Sequence, residues 1–314
     1  MQAQSHTLLV RHSLSIDANR GDGSNVGLNP LRRLQIFLDT IKFEHSIFAL
    51  PFAVAAAFMV AGGWSNWVQL GWVIVAMVTL RTFAMAANRL VDAEIDRRNP
   101  RTADRALARG IIGKPEVIGY MVVSAIVFVV AAWQLDPLAL ILSPIPIVVA
   151  FTYPYLKRFT WLAHFGIGAV YIIVPPAVAI AMTGTMPVEF VLLGIAALFW
   201  VSGFDVLYAI ADINFDRANG LHSIPARFGI KRSLLIAKTL HLVTLVFLVL
   251  SVLTGDGGLW VAFGIVVVGA LFAYEHSLVK EDDLSKLNMA FFTMNGIIAV
   301  VFAVFVVLDE LLIG

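Results

Sequence analysis

Two stretches of acidic residues stand out in this chain because each lies at the end of a long apolar run. The first contains Asn88, Asp92 and Asp96, and the second runs from Asp205 to Asp216. A carboxylate in apolar surroundings is costly unless it is paired or binds a metal, so these positions indicate a function. Each stretch is followed by a cluster of arginines, which could bind an anion.

The spacing within each stretch places its polar residues on one face of a helix. Asn88, Asp92 and Asp96 recur every four residues, and this interval returns to nearly the same face at about 100° per residue. The second stretch forms a similar polar stripe, with helical spacing, from Asp205, Tyr208, Asp212 and Asp216. The two stripes could face each other across a cavity between helices.

The side chains of the two stripes offer hard oxygen ligands, which suit Mg²⁺. This ion is usually held by one or two carboxylates together with the phosphates of a substrate. The stripes therefore predict a diphosphate that Mg²⁺ bridges to the protein, with basic side chains on the remaining phosphate oxygens. The histidines His45, His164 and His222 lack a metal-ligand spacing and are interpreted as ordinary polar contacts, with His222 a partial exception because it lies in the long loop after the second acidic stretch. The basic candidates are Lys42, Arg105, Lys157, Arg158 and Arg227.

Arg81 is an isolated charge within an apolar segment, two helical turns before Asn88 on nearly the same face. A charge in the middle of a span costs about 2.5–3.5 kcal/mol on insertion scales. The side chain could extend toward the membrane surface, but we favour a position that faces an internal site.

The composition indicates an integral membrane protein in contact with lipid. Of the 314 residues, 60% are hydrophobic and 14% are charged, whereas soluble domains average about 45–50% and 25%. The chain contains no cysteine, which excludes disulfides and thiolate metal sites. We expect no nucleic-acid partner and no obligate protein partner.

Nine apolar segments are long enough to cross a membrane, which requires about 20 residues. Residues 1–30 precede them, are polar, and are interpreted as a flexible tail rather than a signal peptide. Residues 31–314 would then form one all-α membrane domain. The nine segments lie near 43–62, 69–91, 116–134, 138–156, 161–183, 188–212, 233–253, 258–279 and 289–312.

The basic residues alternate between the two ends of these segments. All except Arg81 lie in the N-terminal region or in and beside every second connection, and the connections near 63–68, 135–137, 184–187 and 254–257 contain none. Because cytoplasmic loops are rich in lysine and arginine, this pattern predicts a cytoplasmic N-terminus and a C-terminus outside. Both acidic stretches would then face the cytoplasm.

The acidic stretches belong to an ordered series of motifs that resembles the UbiA-type intramembrane aromatic prenyltransferases. Any single Asp-x-x-x-Asp pair is weak evidence, but the resemblance extends in order from residue 40 to the C-terminus. The motifs are Asn88-x-x-x-Asp92-x-x-x-Asp96, Thr102-x-x-Arg105, Tyr153-Pro-x-x-Lys157-Arg158-x-Thr160, Asp205-x-x-Tyr208-Ala-x-x-Asp212-x-x-x-Asp216 and Gly220-Leu-His-Ser223-Ile-Pro-Ala-Arg227-Phe-Gly229.

Two positions depart from the pattern of many members of this family. Arg89 stands where many members have aspartate, and His222 stands where many have lysine, which removes one expected phosphate contact. The Gly-Leu-His-Ser-Ile-Pro form, together with the Lys42-Phe-Glu-His45 segment, resembles a subgroup that acts in quinone biosynthesis.

The resemblance implies nine transmembrane helices around a central cavity that opens laterally to lipid. It implies Mg²⁺-dependent transfer of a polyprenyl group from polyprenyl diphosphate to an aromatic carboxylic acid. The acceptor would be 4-hydroxybenzoate or a dihydroxynaphthoate, in ubiquinone or menaquinone biosynthesis. Arg81 could pair with the acceptor carboxylate at the deep end of the cavity. The expected location is the bacterial cytoplasmic membrane, with the active site facing the cytoplasm.

The resemblance also implies metal ligands. Asn88, Asp92 and Asp96 would hold one Mg²⁺ ion, and Asp212 and Asp216 would hold the other.

Further motif residues would contact the substrates. Asp205 and Tyr208 would lie near the reacting groups, and Asp205 is a candidate base for the phenol or the arenium intermediate. The residues assigned to substrate binding are Arg81, Arg105, Tyr153, Lys157, Arg158, His222 and Arg227.

Other classes of protein share part of this pattern. A secondary transporter also has many spans and buried carboxylates, but it does not need two carboxylate stripes beside arginine clusters at one membrane face. A CDP-alcohol phosphatidyltransferase uses one compact Asp/Gly motif, which is absent here. A prenyltransferase that modifies haem or a glycerol phosphate shares the aspartates, and acceptor assays separate it from an aromatic prenyltransferase. A purely structural protein would leave the aspartates unexplained.

Overall fold

The computed structural model describes residues 29–41, 50–64, 66–255 and 257–312. Contacts divide the chain after Ile36, and each part is described by itself. In the first part, the side chain of Asn29 accepts a hydrogen bond from the Leu31 amide at 3.2 Å, where helix α1 (Pro30–Thr40) begins. The predicted tail up to residue 28, Lys42 and His45 lie outside the described residues.

The described part of the chain is helical and contains no strand, as the composition predicts. Short 3₁₀ turns at Tyr153–Arg158 and Ile210–Asp212 and a π-helical turn at Met289–Met294 join some of the α-helices. The remaining helices are α2 (Leu50–Ala61), α3 (Trp67–Arg98), α4 (Lys114–Leu135), α5 (Pro137–Leu142), α6 (Pro144–Thr152), α7 (Ala163–Ile172), α8 (Val174–Thr183), α9 (Val188–Ala209), α10 (Ile213–Ala218), α11 (Ile224–Thr254), α12 (Leu259–Ser277) and α13 (Asn295–Leu312).

Eight helical segments of the described chain are long and apolar enough to cross a membrane. They correspond to the second through ninth predicted spans. The first predicted span, 43–62, is described only from Leu50, and its helix α2 covers 12 residues. The count of nine spans therefore stays a prediction.

Proline divides two of these segments, Pro137–Arg158 and Ala163–Thr183, into shorter helices. Pro137 and Pro144 begin α5 and α6, and Pro154 lies in the 3₁₀ turn that follows. Proline lacks a backbone donor and fixes its own φ angle, so it suits the first turn of a helix and interrupts a longer one. The result is a tight turn that ends at Lys157 and Arg158, two of the predicted diphosphate ligands.

Helix α9 lies at the centre of the largest apolar cluster and packs against α7 and α11. Small residues allow this close approach. A Cβ atom built at Gly168 would overlap the Ser202 side chain, and one built at Gly203 would overlap the His241 ring. Close packing on both sides fixes the end of α9, which carries Asp205 and Tyr208.

We expect Gly203→Ala to lower the thermal stability of the purified protein in detergent, because the added methyl group has no space beside His241. The matched control is Gly119→Ala in α4, where the added methyl group would meet no neighbouring atom within 4 Å. Alanine is a better helix former than glycine by about 1 kcal/mol, so this control should melt at the same temperature or higher. Equal melting temperatures for the two variants would contradict the packing argument.

Candidate active site

Helix α3 carries the whole first acidic motif, because it continues to Arg98 beyond the predicted end of its span. Its N-terminus is capped by Asn66, whose side chain accepts hydrogen bonds from Val68 and Gln69 at 2.9 and 3.4 Å. At the other end of the helix, Asp92 and Asp96 are almost fully buried, with exposures of 2% and 6%. Buried carboxylates require hydrogen-bonding or ionic partners.

The partners of Asp92 come from the proline-containing 3₁₀ turn. Lys157 Nζ lies 2.5 Å from Asp92 Oδ2, and Arg158 Nη1 lies 3.5 Å from Oδ1. Arg158 also donates to the carbonyl oxygens of Val91 and Pro154 at 2.8 and 3.1 Å. These contacts bring two motifs together that are distant in the sequence, as the predicted site requires.

Asp96 is held by the residue that follows it in the predicted motif series. Nη1 of Arg105 lies 2.7 Å from each carboxylate oxygen of Asp96. The loop between them is fixed by Thr102, whose hydroxyl donates to the carbonyl of Asp96 at 3.2 Å. The Thr-x-x-Arg motif therefore returns the chain to the acidic face of α3.

Arg89, which departs from the usual family pattern, lies within the same network. It is buried and donates from Nη1 to Asn88 Oδ1 at 3.0 Å and from Nε to the Thr40 carbonyl at 2.9 Å. Asn88 Nδ2 in turn donates to Asp92 at 3.4 Å. The amide oxygen of Asn88 already accepts one hydrogen bond and keeps a second lone pair for another partner.

The second acidic motif differs from the single continuous helix that its spacing predicts. Helix α9 ends at Ala209, the 3₁₀ turn Ile210–Asp212 follows, and Asp216 lies on the separate helix α10. A 3₁₀ turn has about three residues per turn instead of 3.6, so the face of the stripe shifts here. The shifted Asp212 meets polar groups from the loop after α3.

Asp212 binds two residues that are not among the predicted site residues. Asn99 Nδ2 donates to Asp212 Oδ1 at 2.9 Å, and Arg101 Nε donates to the same oxygen at 2.8 Å. Arg101 Nη2 pairs with the other oxygen, and Nη1 donates to the hydroxyl of Tyr208. Burial alone would lower the pKa of Arg101, but its bonds to Asp212 and Tyr208 outweigh burial and raise that pKa.

Asp216 and Asp205 are each bound by a neutral polar group. Ser223 Oγ donates to Asp216 Oδ2 at 2.8 Å, and the same oxygen of Ser223 accepts from the Ala226 amide and caps α11. His164 Nδ1 lies 2.7 Å from Asp205 Oδ2.

The hydrogen bonds of His164 fix its tautomer. Its Nε2 atom accepts from the Ile224 amide at 3.2 Å, so the ring proton is on Nδ1 and faces Asp205. From the sequence alone, His164 is predicted to make only an ordinary polar contact. Its spacing in the sequence gives no sign of this pairing, because Asp205 lies on a different helix.

Two residues assigned to substrate binding lie outside this network of charges. The guanidinium of Arg227 lies 5.1 Å above the ring of Trp161 and forms no ion pair with a described aspartate. The His222 side chain is exposed, and its backbone amide donates to the Lys157 carbonyl at 2.7 Å. A cavity of about 320 Å³ is lined by Trp161, Arg217, Leu221, His222, Ser223, Ala226 and Arg227.

Arg81 and Tyr153 both lie near Tyr171. Arg81 is buried in α3 and is close enough to Tyr171 to interact with it electrostatically. Tyr153 and Tyr171 both pack against one apolar cluster beside α3. A buried arginine at this position agrees with the predicted inward orientation of Arg81.

The oxygen ligands suit Mg²⁺ when a substrate supplies further oxygens. Among the described residues, no three Asp, Glu or His side chains lie close enough together to form a metal site by themselves. Mg²⁺ does not require such a set, since it is often bound by one or two carboxylates plus phosphate oxygens and water. The ligand chemistry therefore fits a metal that binds together with a diphosphate.

Comparison with known proteins places this arrangement in a family. The model of the UbiA prenyltransferase family matches residues 49–297. The chain belongs to the UbiA prenyltransferase family. It is 28% identical over 242 residues to the 4-hydroxybenzoate octaprenyltransferase of Saccharophagus degradans, a match that covers 77% of this chain and 81% of the relative. The protein is thus a membrane-embedded transferase of the prenyl-transferring class.

Solved structures support the same fold. A UbiA homologue from Aeropyrum pernix has a TM-score of 0.77 and 29% sequence identity, with 86% of this chain and 99% of that chain covered. A UbiA homologue from Archaeoglobus fulgidus bound to GPP and Mg²⁺ has a TM-score of 0.65 at 18% identity, covering 87% of this chain and 99% of that chain. At that identity the likeness establishes the helical fold.

We expect Arg105→Gln to lower the thermal stability of the protein, because it leaves the buried carboxylate of Asp96 without its cation. The matched control is Arg109→Gln in the same loop, since the Arg109 side chain is exposed. Melting temperatures in detergent would measure both effects. A control variant as unstable as Arg105→Gln would show that loop charge in general, and not the Asp96 pair, determines stability.

Proposed function

We propose that this protein transfers a polyprenyl group from polyprenyl diphosphate to an aromatic carboxylic acid and requires Mg²⁺. The acceptor would be 4-hydroxybenzoate or a dihydroxynaphthoate in quinone biosynthesis. The observation that carries the proposal is the pairing of buried Asp92 and Asp96 on α3, and of half-buried Asp212 in the 3₁₀ turn, with cations from two other segments. The 4-hydroxybenzoate octaprenyltransferase name of the curated relatives favours 4-hydroxybenzoate.

The proposal includes the arrangement of the chain in the membrane. Residues 31–314 would form a domain of nine spans around a central cavity, preceded by a cytoplasmic tail and ending outside. The alternation of basic connections supports this orientation. Because the curated relatives are bacterial, the expected location is the inner membrane, with the active site facing the cytoplasm.

Metal ligation would involve both acidic motifs. Asn88, Asp92 and Asp96 would hold one Mg²⁺ ion, and Asp212 and Asp216 would hold the other. When bound, the metal supplies positive charge beside the diphosphate oxygens, where negative charge develops in the transition state.

The basic partners of these aspartates would then exchange ligands. Lys157, Arg105 and Arg158 now bind carboxylates, and each would turn to phosphate oxygens when the metal-loaded substrate enters. Charge-assisted hydrogen bonds of this kind are about twice as strong as neutral ones. Tyr153 begins the turn that carries two of these cations. His222 and Arg227 would contribute from the rim, where they line the cavity beside Ser223.

The reaction would break the C–O bond between the prenyl group and the diphosphate and form a C–C bond to the ring, ortho to its hydroxyl. The departing electron pair stays on the diphosphate. The ring carbon loses its proton, and Asp205 would accept it. Its hydrogen bond from neutral His164 orients the carboxylate. Helices that exclude water would prevent hydrolysis of the allylic cation.

A product assay with purified protein tests this function. We expect an EDTA-sensitive prenylated product from Mg²⁺, a long prenyl diphosphate and one of the two aromatic acids. Asp92→Asn and Asp212→Asn should each reduce turnover at least about 100-fold, because each removes an anionic ligand of the metal whose positive charge would stabilise the departing diphosphate. Asp104→Asn, which changes an exposed acidic residue of the same loop, is the control and should keep full activity.

Full activity of either aspartate variant in folded protein would contradict the metal assignment. If the diphosphate were consumed with neither acid as acceptor, a non-aromatic acceptor would replace the proposed one. If labelled prenyl diphosphate were moved across liposomes without being consumed, the protein would be a transporter.

We expect Arg81→Ala to raise the KM for the aromatic acid about tenfold or more while the KM for prenyl diphosphate changes little. The reason is the loss of a charge-assisted pair with the acceptor carboxylate, which corresponds to about 1.4 kcal/mol per tenfold change. Steady-state kinetics with each substrate varied in turn would measure this difference, and Arg81→Lys should restore part of it. An unchanged acceptor KM would remove Arg81 from the site.

A further inference from the structure

A group of polar side chains is buried between α9, α11, α12 and α13, apart from the acidic motifs. Glu275 and Asn295 have no exposed surface, and Trp200 and His241 are each 1% exposed. Ionisable residues within membrane spans are rare and usually functional, because an apolar side chain in the same place avoids the cost of burying charge. Neither the family motifs nor the proposed mechanism uses these residues.

Asn295 is the centre of this group. Its Oδ1 atom accepts a hydrogen bond from Trp200 Nε1 at 2.7 Å, and its Nδ2 atom donates to Glu275 Oε1 at 3.0 Å. The same amide nitrogen lies 3.1 and 3.0 Å from the carbonyl oxygens of Ala290 and Phe291. One side chain therefore joins two spans to the turn that precedes its own helix.

That turn, Met289–Met294, is π-helical. A π turn is wider than an α turn and often lies at a functional site. Asn295 directly follows this turn, and its side-chain amide donates hydrogen bonds to two carbonyl oxygens of the turn. Loss of this amide would leave those carbonyls without that donor and favour a return to ordinary α-helix, which would rotate the residues of the turn.

The turn presents aromatic rings to the proposed diphosphate site. The ring of Phe291 stacks on Tyr208 with centroids 4.2 Å apart and an interplanar angle of 25°. Phe292 meets the same ring edge-on at 5.8 Å and 73°. The Tyr208 hydroxyl binds Arg101, whose guanidinium lies 4.6 Å from the centre of the Tyr208 ring and pairs with Asp212.

We propose that Asn295, held by Glu275 and Trp200, is a positioning residue for diphosphate binding, acting through the π turn, Phe291 and Tyr208 on Arg101 and Asp212. This inference rests on the proposed function for the identity of the ligand. It adds a buried set of residues that determines how well the second acidic motif is preorganised.

Glu275 supports the view that this set is more than packing. Only its Oε1 atom is hydrogen-bonded, whereas Oε2 has no hydrogen-bond partner in the described part of the chain and lies 3.8 Å from His241 Nδ1. A buried carboxyl group with only one hydrogen-bonded oxygen destabilises the fold relative to an apolar side chain in the same place, because buried acceptors without partners are destabilising. The hydrogen bond that Glu275 does form, through Oε1, orients Asn295.

Binding of a prenyl diphosphate with Mg²⁺, measured as a concentration-dependent rise in melting temperature, tests the proposal without requiring turnover. We expect Asn295→Leu, which removes the amide at similar volume, to weaken this binding about tenfold. Glu275→Gln keeps an acceptor for Asn295 and should bind as the wild type does, whereas Glu275→Leu should weaken binding. Affinity for the aromatic acid should be unchanged in every variant.

The matched control is Asp309→Asn. Asp309 is also buried, lies on α13, and accepts hydrogen bonds from the Gly258 and Trp260 amides at 2.6 and 2.9 Å. We expect this variant to melt at a lower temperature but to bind prenyl diphosphate as the wild type does. Equal losses of diphosphate affinity in the Asp309 and Asn295 variants would reduce Asn295 to a structural residue and overturn the proposal.

A double-mutant cycle with Tyr208→Ala identifies the route of the effect. If Asn295 acts through Tyr208, Asn295→Leu should weaken binding little further once Tyr208 is absent. Independent, additive losses would overturn the proposed route. Wild-type protein that binds no prenyl diphosphate would refute the proposed function and this inference together, whereas normal binding by Asn295→Leu would refute this inference alone.

Discussion

The structure depends on the neutralisation of carboxylates inside an apolar helical protein. Asp92 and Asp96 are buried at the end of α3, and each is held by a cation from a segment that follows later in the chain. Removing one partner of a buried ion pair lowers the stability of the fold far more than removing a charge from the surface does. The loop after α3 and the turn before α7 are therefore fixed where the acidic residues require them. The same contacts form the proposed diphosphate site.

Local backbone chemistry provides the cations at these places. Pro144 and Pro154 prevent a continuous span and create the 3₁₀ turn that ends in Lys157 and Arg158. Thr102 closes the loop that returns Arg105 to Asp96. On the opposite side, close packing of Gly168 and Gly203 fixes α9 against its neighbours. The prolines, the Thr102 hydrogen bond and the close packing at the two glycines therefore position the polar network.

The spacing of apolar and acidic residues predicts the helical class, the eight spans found in the described residues and the common helix of Asn88, Asp92 and Asp96. It does not predict Arg101, Asn99 or His164, because their partners are separated from them in sequence and meet only in the folded chain. Arg101 resembles any basic loop residue beside a span, which the positive-inside pattern explains equally well. The break in the second acidic helix is also invisible to a simple count of 3.6 residues per turn, since the residues around Ile210 are ordinary helix formers.

Charge balance explains why so many cations surround these aspartates. Lys157, Arg105 and Arg101 each neutralise one carboxylate, so Asp92, Asp96 and Asp212 all have a cationic partner. Under the proposed function, a metal-bound diphosphate would bring positive and negative charge together, and the pairs would exchange partners without leaving an isolated ion in a medium of low dielectric constant. Among these cations, Arg101 is distinguished by its second attachment to Tyr208. The proposed exchange of its partners would therefore depend on the stack of Tyr208 on Phe291 and on the Asn295 amide, which binds the Phe291 carbonyl.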